Sequence, residues 1–298
     1  MKVLVTGSSG LVGTALGNAL ARAGHTVCRL VRPESAAGEG GFAVAWNPAT
    51  GELGGAGVGA DAVVNLAGAS IAGGRWTAGR KALLRSSRID TTRALVGALA
   101  KMNARPSVLV SASAIGYYGN RGGEMLTEES AAGSDFLAGL AREWEGEARK
   151  AEALGIRVVL ARFGIILARE GGALPKMIMP FKFGAGGKLS SGQQWMSWVM
   201  LEDVVGILRL AIENASLRGA VNVVSPQPLQ NAEFTYLLAK AMRRPALFPA
   251  PAFALRLALG EMADALLLSS QRVAPQALEK VGYRFLHSDL ATALKNLV

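Results

Sequence analysis

Gly7, Gly10 and Gly13 recur at intervals of three within Val5-Thr6-Gly7-Ser8-Ser9-Gly10-Leu11-Val12-Gly13. Glycines in this pattern suit the handling of a phosphate. The first permits a tight turn, the second lets backbone approach a pyrophosphate, and the third lets a helix pack close to the preceding strand. Unpaired N–H groups and a partial positive charge at the helix start would then face the anion. A second group is Ser111-Ala112-Ser113-Ala114-Ile115-Gly116-Tyr117-Tyr118-Gly119, directly after the strand-like Ser107 to Val110. Small hydroxyl residues at a strand's carboxyl end, then tyrosines and glycines, suit a cleft wall, although an ordinary loop with serine caps reads the same way. The third feature is Arg32, nineteen residues past Gly13, with no acid before Glu34. At this point of a dinucleotide site an acid bonds the 2′-hydroxyl of NAD, whereas arginine accommodates the 2′-phosphate of NADP. NADP is therefore the expected cofactor and NAD the less favoured one; the other reading of Arg32 is a solvated surface arginine.

Rigid elements must hold these groups. Lys2 to Thr6 is a β-branched run that reads as a buried strand, and Thr14 to Ala23 has helical composition ended by Gly24. Strands are expected over Thr26 to Val31 and Phe42 to Trp46, with a loop or weak helix over the glycine-rich residues 54 to 59. Asp61 to Gly68 is the next strand and its exit, so backbone at Leu66, Ala67 and Gly68 would pass beside the cofactor. Ala78 to Met102 reads as one long amphipathic helix with Leu83, Leu84, Ile89, Leu95, Val96 and Leu99 inward. Arg88 on that helix either reaches back to phosphate or ribose or is a plain exposed arginine. A helix over Phe136 to Leu154 and a buried strand over Ile156 to Arg162 follow.

The fold class this predicts is α/β, a Rossmann doubly wound parallel sheet over 1–165 completed by about 201–225. From Gly164 onward, glycines and prolines break the chain into short pieces. Trp195 and Trp198 read as core or as pocket lining, Glu202-Asp203 opens a helix to about Ala215, and Ala220 to Val224 returns as a strand. Segments 166–200 and 226–298 would form a smaller, mostly helical C-terminal substrate region.

Composition narrows the partners. The 298 residues are 50% hydrophobic, enough for a sizeable core. The single Cys28 excludes disulfides within the chain, and His25 and His287 stand too far apart for a metal motif. No apolar run reaches the roughly 18–20 residues of a membrane span, and no signal-peptide pattern opens the sequence. The expectation is a cytoplasmic protein with a small-molecule substrate, no metal and no membrane partner; a homodimer stays open. Against 22 acidic residues stand 32 basic ones, a net charge of +10. The arginines are scattered in sequence, with no dense run and no aromatic-interleaved patch, so a nucleic acid is discounted. A cationic cleft for a phosphorylated cofactor accounts for part of the excess.

The wider G-x-x-G-x-x-G spacing resembles the extended, epimerase-like branch of the short-chain dehydrogenase/reductases. Further blocks keep one order and spacing: Val110-x-x-Ser113-Ala114-x-Gly116-Tyr117-Tyr118-Gly119, Trp144-Glu145, Arg162, Trp198-x-x-x-x-Asp203, Asn222-x-x-x-Pro226 and Asn231-Ala232-Glu233-Phe234. Arg244-Pro245, Gly260-Glu261, Ser270-Gln271-Arg272-Val273-x-Pro275 and Gly282-Tyr283-x-Phe285 continue it. Together they resemble the epimerase family proteins, an atypical group of that branch carrying a C-terminal domain of unknown function, here at about 248–296. The resemblance implies a nicotinamide dinucleotide, with contacts at the Gly7 to Gly13 turn, Val31, Arg32, Leu66, Ala67, Arg88 and a position near Ile166 just after the sixth strand.

One departure bears on chemistry. The wider superfamily uses a tyrosine and a lysine four residues on, the lysine lowering the tyrosine's pKa. Where that pair belongs, this chain reads Phe136-Leu137-Ala138-Gly139-Leu140-Ala141-Arg142. A formal match, Tyr236-x-x-x-Lys240, comes far later and reads as coincidence of helical spacing. Ser113 takes the place of the superfamily's serine, and Tyr117 or Tyr118 is the expected proton donor. Two functions follow: an NADP-dependent oxidoreductase or epimerase on a small, polar, sugar-like molecule, or a dinucleotide-binding redox sensor without turnover.

Overall fold

The structure, a computed structural model, describes residues 1–33, 42–54, 59–295 and 297–298. The loop expected over 54 to 59 therefore lies mostly outside the described residues. The first half runs β1 (Lys2–Thr6), α1 (Leu11–Arg22), β2 (Thr26–Val31), β3 (Ala43–Asn47), β4 (Glu52–Leu53), β5 (Ala62–Asn65), α2 (Ala78–Ser86), α3 (Ile89–Ala100) and β6 (Val108–Ala114). After a 3₁₀ turn at Ile115–Tyr118 come β7 (Met125–Leu126), α4 (Phe136–Arg149), β8 (Arg157–Phe163), β9 (Ile165–Leu167) and α5 (Leu174–Lys182). The chain then forms β10 (Trp195–Met196), β11 (Trp198–Met200), α6 (Leu201–Glu213), β12 (Gly219–Val223), β13 (Leu229–Gln230) and α7 (Asn231–Met242). It ends with α8 (Ala252–Leu259), β14 (Arg272–Val273), α9 (Gln276–Lys280) and α10 (Leu290–Lys295).

The main sheet has the order β12-β8-β6-β5-β1-β2-β3-β4. Its pairs are parallel except β3 with the short edge strand β4. Parallel pairing buries both faces, so the strands alternate between two cores. Val3 and Val5 point to α1 and α6, meeting Leu16, Leu20, Val204 and Leu208. Leu4 points the other way, to Leu95, Leu99 and Ala148 of α3 and α4. Cys28 is buried on that second side.

Two elements differ from the sequence reading. The long helix expected over Ala78 to Met102 is two helices, broken at Ser87 and Arg88. Ser86 and Ser87 hydroxyls donate to the carbonyls of Leu83 and Leu84, three residues back, and the Arg88 guanidinium also donates to Leu84 O. Those side chains satisfy the last carbonyls of α2 and end its ladder. The strand expected to stop at Val110 continues to Ala114, because β8 pairs with it residue by residue as far as Ala114 opposite Phe163.

The C-terminal residues close onto this sheet. Leu290, Leu294 and Leu297 bury with Trp198, Phe181, Phe234 and Leu238, so Trp198 is core and sends its indole N–H to Gln227 O. Leu278 of α9 packs into the sheet's own core, and β14 pairs with β7. Asp203 in the first turn of α6, fully buried, accepts hydrogen bonds from the backbone N–H groups of Leu286 and His287 at 2.8 and 3.0 Å. The Tyr283 hydroxyl lies 3.3 Å from the same carboxylate. Among the described residues no helix is long and apolar enough to cross a membrane. Asp203→Ala would take the acceptor from the part-buried N–H groups of Leu286 and His287, so it should cost about 2–3 kcal/mol of stability, measured by urea unfolding.

Candidate functional site

Strand order reverses at β1. Strands β2 to β4 lie to one side, while β5, β6, β8 and β12 lie to the other, so a crevice opens at the carboxyl ends of β1 and β5. The glycine turn sits there. Gly7 has φ +63°, and a Cβ on it would stand 2.6 Å from Leu66 O; a Cβ on Gly13 would stand 2.3 Å from Gly7 O. Glycine alone lets the turn close against both the helix and the β5 exit. Gly10 differs, since a Cβ there would meet only Gly7 O, at 3.3 Å. Its outer side is open. No side chain caps α1 and no acid occupies its first turn, which leaves the N–H groups of Leu11, Val12 and Gly13 for an external anion. Tight inside and open outside, this turn fits a pyrophosphate.

Polar bonds fix the crevice floor. The Thr6 hydroxyl donates to Asn65 Oδ1 at 2.7 Å and accepts from the N–H groups of Leu66 and Ala67 at 3.0 and 3.2 Å. Asn65 Nδ2 donates to Thr92 Oγ1, which also receives the Trp144 indole N–H at 2.9 Å. The backbone at Leu66, Ala67 and Gly68 is thereby held against the glycine turn. Val31 and the exposed Arg32 stand at the end of β2, on the far side of β1. Arg88 occupies the break between α2 and α3. Its guanidinium donates to Ala69 O at 3.0 Å and lies 5.3 Å from the Trp144 ring centre. Burial, and then Arg80 nearby, lower its pKa to about 10, so it stays charged at neutral pH. Among the described residues no carboxylate pairs with it, which leaves a cation beside Gly68. Ile166 lies in β9, one residue into a short parallel pair with β11. A Cβ on Gly172 would stand 2.8 Å from its carbonyl, and one on either Gly171 or Gly172 would stand 3.3 Å from Leu11. The expected cofactor positions therefore gather around one crevice.

The hydroxyl group of residues is divided. Ser113 and Tyr118 are buried, contrary to the cleft wall the sequence suggested, because β6 runs on past Ser113 and the 3₁₀ turn after it folds Tyr118 into a polar network. Ser113 Oγ donates to Glu145 Oε1 at 2.7 Å. Arg162 grips the same carboxylate through Nε at 2.7 Å and Nη2 at 2.9 Å, and its Nη1 donates to the Tyr118 hydroxyl at 2.9 Å. Tyr118 in turn donates to Asn222 Oδ1 at 2.6 Å. Burial pushes the Tyr118 phenol up to about 12, the nearby Arg162 charge only partly opposing it. Burial alone would lower the Arg162 pKa, but its bonds and charge pairing with Glu145 more than reverse that. Tyr118 is thus a poor proton exchanger, and its expected catalytic role is withdrawn.

Tyr117 has the opposite fate. A 3₁₀ turn sets successive side chains about 120° apart, so the tyrosine beside a buried one faces outward. The Tyr117 ring is half-buried, with the Arg162 guanidinium 3.5 Å from its centre. Among the described residues nothing takes up its hydroxyl. Three residues on, Asn120 begins the wall of a polar cleft of about 520 Å³, which Ser190, Gln193, Trp195, Gln230 and Ser270 also line. Trp195 carries the Arg272 guanidinium 4.3 Å above its ring. Sequence reasoning had not assigned roles to Glu145, Arg162 and Asn222. Their signal was an arginine ending an apolar strand and an acid on the inward face of an amphipathic helix, each needing a buried partner. Glu145→Ala leaves Arg162 buried without a counter-charge and should cost about 3–5 kcal/mol in urea unfolding.

Known proteins resemble this chain in sequence and fold. Residues 3–224 match the NAD dependent epimerase/dehydratase family, and residues 250–297 match a domain of unknown function, DUF1731. An epimerase family protein of Mycobacterium bovis is 45% identical over 98% of this chain and 96% of its own length. One from Bacillus subtilis is 40% identical over 100% of this chain and 98% of its own. The human epimerase family protein SDR39U1, isoform 2, solved with NADPH, superposes with a TM-score of 0.90 at 32% identity, covering 100% of this chain and 99% of that one. The chain belongs to the NAD-dependent epimerase/dehydratase family, among the epimerase family proteins with that C-terminal domain.

Proposed function

We propose that this protein is an NADP-dependent oxidoreductase or epimerase of the extended short-chain dehydrogenase/reductase type, acting in the cytoplasm on a small polar, sugar-like molecule. The observation that carries this reading is the unclaimed Tyr117 hydroxyl at the end of β6, its ring clamped by a guanidinium that Glu145 holds in place. A bound nicotinamide supplies or accepts the hydride. What the chain must add is a proton at the substrate oxygen, and Tyr117, three residues before the cleft wall begins at Asn120, has an O–H that no described residue takes up. Ser113 has committed its own proton to Glu145, so its remaining lone pair suits a substrate hydroxyl rather than a carbonyl. The hydroxyl and amide lining of the neighbouring cleft suits a substrate rich in hydroxyls.

The preference for NADP rests on Arg32 at the end of β2 and is supported by the NADPH in the human relative. Cofactor contacts are assigned to Gly7, Ser9, Gly10, Leu11, Val12, Gly13, Val31, Arg32, Leu66, Ala67, Gly68, Arg88 and Ile166. A second reading, a redox sensor without turnover, is favoured by one observation: α4 carries neither tyrosine nor lysine where the superfamily's pair belongs.

Arg32→Asp should weaken NADPH binding by about 1.5–3 kcal/mol in a calorimetric titration, while NADH changes little. Equal affinity of the parent protein for the two nucleotides would remove the basis for NADP. Once a screen of hydroxylated and carbonyl compounds yields NADPH turnover, Tyr117→Phe should lower kcat about 100-fold or more without weakening NADPH. Undiminished turnover in Tyr117→Phe would remove Tyr117 from the chemistry, and no turnover across the screen would favour the sensor.

A further inference from the structure

The net charge of +10 is not spread evenly over the fold. Residues 174–190 carry Lys176, Lys182 and Lys188, residues 240–257 carry Lys240, Arg243, Arg244 and Arg256, and neither segment contains an acid. Sequence separates the two; the fold joins them. Phe248 N donates to Gly186 O at 3.1 Å, Ala250 N to Lys188 O at 2.9 Å, and Ser190 N to Ala250 O at 2.8 Å. All seven cations are exposed. Arg256 pairs with Asp264, but among the described residues no carboxylate lies within ion-pair reach of Lys182, Lys188, Lys240, Arg243 or Arg244.

Apolar side chains crowd the same face. Phe183 is 79% exposed, Leu247 71%, Phe248 62%, Phe253 73% and Leu257 78%. Helix α8 reads Ala-Phe-Ala-Leu-Arg-Leu-Ala-Leu and buries none of its residues. Its two rows have different surroundings. Ala252 and Arg256 line the polar cleft, while Phe253 and Leu257, each one position further round, face out together. Together Phe183, Leu247, Phe248, Phe253 and Leu257 expose on the order of 700 Å² to water.

Charge decides what covers it. A second copy, meeting this face through a two-fold axis, would bring the same unpaired cations from both sides with no acid between them. A nucleic-acid strand would need cations alternating with its stacking rings, and here leucines and prolines fill the places between. Cations flanking a mixed aromatic and aliphatic centre match the chemistry of a bilayer surface, where headgroup anions meet acyl chains. We propose that the face formed by residues 179–188 and 240–257 docks on a bilayer surface containing anionic phospholipid. Phe183, Phe248, Phe253 and Leu257 enter the boundary between headgroups and acyl chains, and the lysines and arginines lie on the phosphates. The proposed contact is with a bilayer surface and involves no membrane span, and it stands independently of the reading of the crevice.

Flotation of the full chain with lipid vesicles tests it. The protein should float with vesicles of phosphatidylcholine mixed with phosphatidylglycerol, far less with phosphatidylcholine alone, and less as salt rises. Phe253→Glu with Leu257→Glu, and separately Lys182→Glu with Arg244→Glu, should each weaken binding by about tenfold or more. Melting temperature and NADPH titration should be unchanged in both, which separates lost docking from lost fold or lost cofactor. Equal flotation by parent and variants, or none with anionic vesicles at low salt, would overturn the proposal. So would a dimer in sedimentation equilibrium that the Phe253 and Leu257 changes dissolve, since the occupant would then be a second copy. Tighter binding of a single-stranded oligonucleotide, sensitive to the same changes, would equally overturn it.

Discussion

Arg162 and Glu145 are both almost wholly buried, and each makes the other tolerable there. A lone charge in this interior would cost several kcal/mol, so the pair forms only where every neighbouring donor and acceptor is also satisfied. That requirement reaches through the fold. Arg162 belongs to β8, Glu145 to α4, Ser113 to β6, Tyr118 to the 3₁₀ turn and Asn222 to β12. The same guanidinium completes the ring contact that orients Tyr117, and Asn222 carries the link on to Ala274 O near the C-terminus. One ion pair thus ties the strand ends, the outward tyrosine and the C-terminal segment into a single arrangement.

The glycine turn and the elements that flank it were readable in sequence because their constraints are local. A strand, a glycine turn and a helix follow one another within about twenty residues, and each glycine has a backbone reason that composition alone reveals. The parallel sheet followed from alternating strand and helix patterns. The chemistry side was harder to read because its constraints are distant. Whether Ser113 ends a strand or continues one depends on β8, nearly fifty residues later, and whether Tyr118 faces in or out depends on Arg162 and Asn222. Periodicity likewise could not show that Ser86, Ser87 and Arg88 end α2, since their side-chain bonds to backbone carbonyls leave the hydrophobic spacing intact.

Charge gave a similar lesson. Counted along the chain, the arginines look dispersed, and dispersal argued against a nucleic acid. Folding lays residues 186–190 along 248–250, and two modest basic stretches, each without an acid of its own, are brought side by side. A sum over sequence windows could not find this, because the relevant window is made of two segments.

Adjacent residues in this protein repeatedly receive opposite environments, and the geometry of the element decides which. Tyr117 and Tyr118 separate at a 3₁₀ turn, where neighbours diverge by about 120°. Val3, Leu4 and Val5 separate across a parallel sheet and supply two cores instead of one. Ala252 and Phe253 separate around α8, one toward the polar cleft and the other toward solvent. At the 3₁₀ turn one tyrosine is consumed by the interior and the other is left outside it. The division is stable because the inward member is fixed by burial or by a closed hydrogen-bond network. The outward member then needs no partner of its own, and for that reason it remains available to substrate, cofactor or surface.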